Sequence, residues 1–315
     1  MRHWRLSAVV LALAALGSVP AWGSDVLVQF GINALLLAVL AQGWNIIGGY
    51  TGYPSFGNSV FYGLGTYGVA IAMAQWHLPF AAGMGFGALL AVAFALLLGV
   101  PVLRLRGHYF AIATLALAGV MAAIISNIPL AGQNIGLVLP PLNDDRLFYL
   151  LALALLVAVT VTIWWLAHSR FGYALIAIRE NEDSAAAMGV NTTLYKVLAF
   201  ALSALFSALA GGIHAYWITF IDPGSAFDIT LNVQMIIMTV FGGAGSVFGP
   251  ILGALALSAV SEVLSSELTH VAGLFFGAVI VAAVVLMPRG LTDLSRRLRT
   301  LGWRYFAQNV RANRL

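Results

Sequence analysis

Cysteine is absent from the 315 residues, which excludes disulfides, thiolate metal sites and cysteine nucleophiles. Charge is scarce as well: 8% of the chain is Asp, Glu, Lys or Arg, against 61% hydrophobic residues. A soluble domain carries about a quarter charged residues, so this chain has too little polar surface to cover a globule in water. The few acids avoid the apolar runs. Asp25, Asp144, Asp145, Glu180, Glu182, Asp183, Asp222, Asp228 and Asp293 lie between them, and Glu262 and Glu267 lie near the outer end of a late one. Carriers driven by ions or protons keep ionisable side chains inside the membrane, and these runs hold nothing resembling such a site. His108 and His214, near the ends of their runs, read as structural histidines. No Walker A glycine loop is present, which excludes ATP binding by that route. Neither a metal-ligand cluster, a cofactor motif nor a catalytic constellation is legible.

What the chain does have is apolar length. Runs recur at 6–22, 26–49, 56–75, 80–101, 108–127, 147–167, 194–218, 229–241, 247–264 and 271–287, most near the ~20 residues that cross a ~30 Å hydrocarbon core as a helix. The expected fold is all-α, a polytopic transmembrane helical bundle of about 8–10 spans, in one membrane domain over residues 1–315. The first run follows Arg2 and Arg5; with Val19 and Ala21 before a possible cleavage point it reads either as a first helix or as a signal-like segment over 1–22. The run at 229–241 is short for a straight crossing and reads as broken or re-entrant, a backbone tolerated only inside protein or beside water. The 33 glycines suit close helix packing in lipid.

Basic residues set the orientation. Arg2, Arg5, Arg104, Arg106, Arg170, Arg179, Lys196 and the arginines of the 288–315 tail all fall on one side if there are ten spans, and only Arg146 falls on the other. Both termini are therefore expected on the cytoplasmic side of the membrane. The formal charge of +4 comes mostly from that tail; it reports topology and contact with anionic lipid rather than binding of nucleic acid.

The longest cytoplasmic loop, 168–193, carries the punctuation of a short helix. Asn181 or Asp183 is suited to cap its start, and Glu182 and Asp183 complement the helix dipole. Ala185, Ala186 and Ala187 favour helix without bulk, and Gly189 is a natural stop. Arg179, Glu180, Asn181, Glu182, Asp183, Ser184, the three alanines, Met188 and Gly189 thus form a compact element, charged at one end and apolar at Met188. It could dock in a soluble partner or lie as an ordinary loop helix on the membrane.

The segment Ala177-Ile-Arg-Glu-Asn-Glu-Asp-Ser-Ala-Ala-Ala-Met-Gly-Val-Asn191 resembles the EAA-type loop of ABC importer permeases, in the form found in LivM-type branched-chain amino acid permeases. Similar in family order are Gly49-Tyr-Thr-Gly-Tyr-Pro-Ser-Phe-Gly57, Gly63-Leu-Gly-Thr-Tyr67, Leu105-Arg-Gly-His-Tyr-Phe-Ala-Ile-Ala-Thr-Leu115, Gly242-Gly-Ala-Gly-Ser-Val-Phe-Gly-Pro250 and Pro288-Arg-Gly-Leu291. Two positions depart from that pattern: the turn at 130–136 keeps a Thr-Gly-Gly motif only in part, and Asn58 replaces a common histidine. The resemblance implies a permease with no enzymatic activity of its own, coupled through this loop to two cytoplasmic ATP-binding subunits. It also implies a second homologous permease subunit and an extracytoplasmic solute-binding protein. The cargo would be branched-chain or other hydrophobic amino acids, with urea, short amides or sugars as alternatives; a self-sufficient channel or a secondary carrier is the reading from another class.

Polar and aromatic residues inside the runs mark a possible translocation path: Asn45, Ser55, Phe56, Asn58, Tyr62, Tyr109, Phe110, Thr114 and Gln234. A cavity lined by them would be neutral and would hold a small uncharged or zwitterionic solute weakly. The competing use of such residues is helix-to-helix hydrogen bonding. The glycine clusters at 48–57, 63–65 and 242–249 pose the same choice, between broken helices at the path and simple close packing.

Overall fold

The computed structural model describes residues 16–267; the run at 271–287 and the basic tail lie outside them. After a helical stretch at 16–22, helix α1 (Asp25–Trp44) starts under the Ser24 cap and runs on as a π-helical turn, Asn45–Tyr50. Next come α2 (Asn58–Ala74), α3 (Phe80–Val102) and α4 (His108–Ile125). An irregular stretch carries two 3₁₀ turns and strand β1 (Leu137–Val138) before α5 (Asp145–Ala167). Two short helices follow, α6 (Arg170–Glu180) and α7 (Glu182–Ala187), then α8 (Thr192–Ile218). Strand β2 (Phe220–Ile221), α9 (Pro223–Ala226), α10 (Ile229–Gly242) and α11 (Gly249–Glu267) complete the order.

Side-chain oxygens start most of these helices. Asp144, Ser169, Asn181, Asn191, Asp222 and Asp228 each accept from an amide in the first turn of the helix they precede, satisfying a donor that would otherwise be orphaned. Among the described residues, six stretches are long and apolar enough to cross a membrane: Asp25–Tyr50, Phe80–Val102, His108–Ile125, Asp145–Ala167, Thr192–Ile218 and Pro223–Gly242. Helix α2, at 17 residues, is shorter, about 25 Å.

Helix α8 is the most enclosed of the six and α3 the least, as for a central and a peripheral helix. The chain packs α2 against α3 and α8, and α1 against α5, α8 and α11. At the end of the bundle where α5 starts, Asp145 draws three elements together, accepting from Gln29 Nε2 at 3.0 Å and from Trp217 Nε1 at 3.1 Å. There β1 and β2 pair antiparallel, Leu137 opposite Ile221, a ribbon that apolar periodicity does not reveal.

The run expected as a helix over 56–75 begins at Asn58. Residues 51–57 have no regular structure, yet they are not a surface loop. Burial alternates along them: Tyr53, Ser55 and Gly57 are buried, whereas Pro54 is exposed and Phe56 half-buried. Phe56 N–H donates to Thr114 Oγ1 at 3.0 Å, and Trp44 Nε1 donates to the Ser55 carbonyl at 2.7 Å. Thr114 lies about two turns, ~9 Å, into α4, so the segment climbs into the bundle before α2 starts. Irregular backbone is stable at that depth because protein groups satisfy it.

Candidate functional site

The 168–193 loop folds as two helices rather than one. Alpha6 is amphipathic: Gly172, Ala174, Leu175 and Ile178 are buried against the bundle, while Arg170 and Tyr173 are exposed. Arg179 and Glu180, expected in the short helix, form the last turn of α6 and pair with each other at 3.0 Å. Asn181 breaks the two apart in an extended conformation and caps α7 by accepting from Ser184 N–H at 2.8 Å. Gly189, at φ +87°, ends it.

Alpha7 is two-faced. Glu182 and Ala185 turn inward; Asp183, Ser184, Ala186, Ala187, Met188 and Gly189 are exposed, and Met188 is 86% accessible. On the inner face the sole lysine of the chain, Lys196, is 3% exposed and donates through Nζ three times. Its acceptors are Glu182 Oε1 at 2.6 Å, the Leu103 carbonyl at 2.9 Å and the Tyr53 hydroxyl at 3.1 Å. Tyr53 in turn donates to Glu182 Oε2 through a short hydrogen bond, and its ring lies 4.7 Å from the ammonium. Taking a lysine out of water costs several kcal/mol unless it is paired and hydrogen-bonded. Here every ammonium proton has an acceptor.

Electrostatics follow from this geometry. Burial pushes the Glu182 carboxyl upward, but the hydrogen bonds from Lys196 and Tyr53 and the lysine charge outweigh it and hold the acid below its usual range. Burial, together with the Glu182 carboxylate, pushes the Tyr53 phenol well above its ordinary value, so it remains a donor. Arg106, from the α3–α4 turn, grips Asp183 with two hydrogen bonds, 3.1 and 2.9 Å. That fork lowers the Asp183 carboxyl and raises the arginine.

Arg179 ties the same loop to a second place. Its Nη1 donates to the Gly49 carbonyl at 3.0 Å, at the end of the π turn. Beside it sits Gly245 (φ +77°), in the turn between α10 and α11. Asn45 clasps that turn, accepting from Gly245 N–H at 2.7 Å and donating to the Ser246 carbonyl at 2.9 Å. π turns are rare and frequent at functional sites.

Of the residues singled out as a possible path, the structure gathers Ser55, Phe56, Asn58, Phe110 and Thr114 around the 51–57 segment. Asn58 donates to Ser203 Oγ at 2.8 Å, and Phe110 lies edge-on to Tyr53 at 5.3 Å. Ser55, Asn58, Phe110 and Thr114 are fully enclosed by the chain itself. Asn45 belongs to the glycine turn, and Tyr62 bonds His214 Nδ1 at 2.6 Å. Tyr109 is 76% exposed and Gln234 half-buried on α10. Sequence reasoning passed over Ser59 and Asn232, which bond reciprocally where α2 and α10 begin. It read Lys196 and Arg106 only as topology markers. A lone lysine entering an apolar run 14 residues after Glu182 was the available signal.

A polytopic helical bundle with one anchored, partly exposed helix at its basic end is the form of a membrane permease. The comparisons specify which. Residues 26–284 match the family described as branched-chain amino acid transport system / permease component. The chain belongs to that family, as a permease component of an ABC transporter. It is 30% identical over 301 residues to the high-affinity branched-chain amino acid transport system permease protein LivM of Escherichia coli K12, covering 85% of this chain and 70% of that protein. More remote is the autoinducer 2 import system permease protein LsrC of Photorhabdus laumondii, 26% identical over 167 residues, 51% of this chain and 50% of that one. Among solved structures, PsaBC from Streptococcus pneumoniae in complex with Fab gives a TM-score of 0.43 at 16% identity, over 95% of this chain and 99% of that one.

Proposed function

We propose that this chain is one permease subunit of an importer for branched-chain or other hydrophobic amino acids, driven by separate ATP-binding subunits. One observation carries the coupling role. Alpha7 is fastened on one face by Glu182 and Ala185 and presents Ser184, Ala186, Ala187 and Met188 on the other. An apolar side chain 86% exposed at the tip of a small, rigid knob has the shape of an anchor for a groove in a soluble partner. In this reading both termini are cytoplasmic, and a second homologous permease subunit completes the membrane unit. ATP-driven closure of two nucleotide-binding subunits displaces α7, and the bundle opens toward a loaded extracytoplasmic binding protein.

The cargo assignment draws on the family and on the LivM relative. The LsrC relative, named for autoinducer 2 import, supports an alternative cargo of that kind, which competition for uptake separates: unlabelled leucine should displace the substrate and autoinducer 2 should not.

The coupling role is tested by Ala186→Arg and Met188→Asp in the assembled complex. Both sit on the open face, so the chain should fold normally while co-purification of the ATPase and solute uptake both fall about tenfold or more. Unchanged association and uptake would remove α7 from the mechanism. Solute flux through the isolated chain in liposomes, without partners or ATP, would instead favour a self-sufficient channel.

A further inference from the structure

The Lys196 cluster does more than hold α7 down. Tyr53, the residue it grips, is the lower end of the segment that climbs to the start of α2. Pro54 follows, with its φ fixed near −65°, and a residue before proline is confined to extended conformations. Burial alternates along 53–57, although the chain bends at Phe56 and leaves the extended region at Gly57 (φ −111°, ψ 10°); hydrogen bonds to neighbouring elements, rather than straightness, take the slack out of it. Along its length it is braced by Trp44 against the Ser55 carbonyl and by Thr114 against the Phe56 amide. At its upper end Asn58 holds Ser203, and Ser59 exchanges two hydrogen bonds with Asn232, four residues into α10.

We propose that Tyr53, Glu182 and Lys196 act as a latch that transmits displacement of α7 through the 53–57 strut to the starts of α2 and α10. This rests on the reading of α7 as the contact for an ATP-hydrolysing partner. Lys196 and Tyr53 are then positioning residues: neither meets solute or nucleotide, and both set how far the bundle follows the knob. The Arg179–Gly49 bond ties α6 to the π turn, to which the Tyr53 amide also donates, through the Ile47 carbonyl at 3.1 Å.

The experiment uses the full complex in lipid nanodiscs for hydrolysis and the same complex in proteoliposomes for uptake, with the binding protein supplied. Variants are Lys196→Met, Glu182→Gln, Tyr53→Phe and the exchange Glu182→Lys/Lys196→Glu. The first reading is co-purification of the ATPase with the wild-type chain; its failure would overturn the proposed function itself, before the latch is reached. With association intact, the decisive quantity is solute moved per ATP hydrolysed. The latch predicts that this ratio falls about tenfold in Lys196→Met and about fivefold in Tyr53→Phe, which loses one hydroxyl, while basal hydrolysis persists. The exchange should recover part of the ratio. Should Lys196→Met fail to assemble, Tyr53→Phe decides, because its ring can still pack on Phe110. An unchanged ratio in an assembled Tyr53→Phe complex overturns the latch, as does a proportional loss of hydrolysis and uptake in all variants.

Discussion

Ser59 and Asn232 exchange hydrogen bonds: the Ser59 amide donates to Asn232 Oδ1 at 2.8 Å, and Asn232 Nδ2 donates to Ser59 Oγ at 2.7 Å. The pair joins the first turns of α2 and α10, and both side chains are fully buried. Asn232 is thereby a helix cap supplied from a distant part of the chain, since the Ser59 amide has no carbonyl of its own helix to reach.

Removing it should therefore cost more than an ordinary interhelical bond. Asn232→Ala leaves a buried amide and hydroxyl unpaired, a loss of about 1–3 kcal/mol. Thermal unfolding in mild detergent should show a lower midpoint, with Asn232→Asp closer to wild type only at pH low enough to protonate it. A midpoint equal to wild type in Asn232→Ala would mean that α2 starts without this cap.

Close approach of helices supplies a second expectation. A Cβ on Gly65 would overlap the Ala208 carbonyl, and one on Gly211 would overlap the Tyr62 carbonyl, so α2 and α8 touch backbone to backbone. Gly85 and Gly119 have nothing within 4 Å of the place a Cβ would take and are exposed. Gly65→Leu and Gly211→Val should abolish accumulation of folded protein, whereas Gly85→Leu and Gly119→Leu should leave it near wild type. Equal tolerance at all four, judged by yield and gel-filtration profile, would contradict the α2–α8 contact.

The contrast among these glycines also marks the limit of the sequence. Periodicity and charge are local quantities, and they are enough for the helical bundle and for a short helix stopped at Gly189; they leave Asn181 and Asp183 open as its cap and carry it back to Arg179, which belongs to α6. They are silent on what crosses between elements. Gly65 and Gly85 look alike in sequence, and only the packing separates a contact from an open face. Lys196 reads as one more cytoplasmic cation until Glu182, Tyr53 and Leu103 are seen to converge on it. Phe56 is apolar enough to extend the run past the true start of α2, while Pro54 and the bond that the Phe56 amide donates to Thr114 Oγ1 hold its backbone out of the helix.

Orientation is open to a direct measurement, because a chain with no cysteine needs no background replacement before single cysteines are introduced. Met188→Cys and Leu142→Cys lie on opposite sides of α5 in the proposed topology, both at exposed positions. A membrane-impermeant maleimide applied to intact cells should label the second and spare the first, and inside-out vesicles stripped of bound ATP-binding subunits should reverse the pattern. Labelling of Met188→Cys from outside would place α7 beyond reach of any cytoplasmic partner.

Acidity should loosen the α7 anchor, and the direction follows from the two carboxyls that hold it. Glu182 and Asp183 both titrate below their ordinary values, the first through Lys196 and Tyr53 against the opposing effect of burial, the second through Arg106. A group whose folded-state pKa is depressed adds stability that is fully present above its unfolded value and disappears as pH falls through the folded one. The margin of wild type over Glu182→Gln in thermal unfolding should therefore be constant from about pH 8 to about pH 6 and shrink only below about pH 4.5. Tyr53 does not disturb this window, since its phenol is held protonated far above it. Because Lys196 keeps the Leu103 carbonyl and the Tyr53 hydroxyl as acceptors, protonating Glu182 should weaken the anchor without unfolding the bundle. A margin that vanished near neutral pH would mean that Glu182 carries a raised pKa, with burial winning over its partners; one that persisted undiminished at about pH 3 would mean the carboxylate charge is not what holds α7.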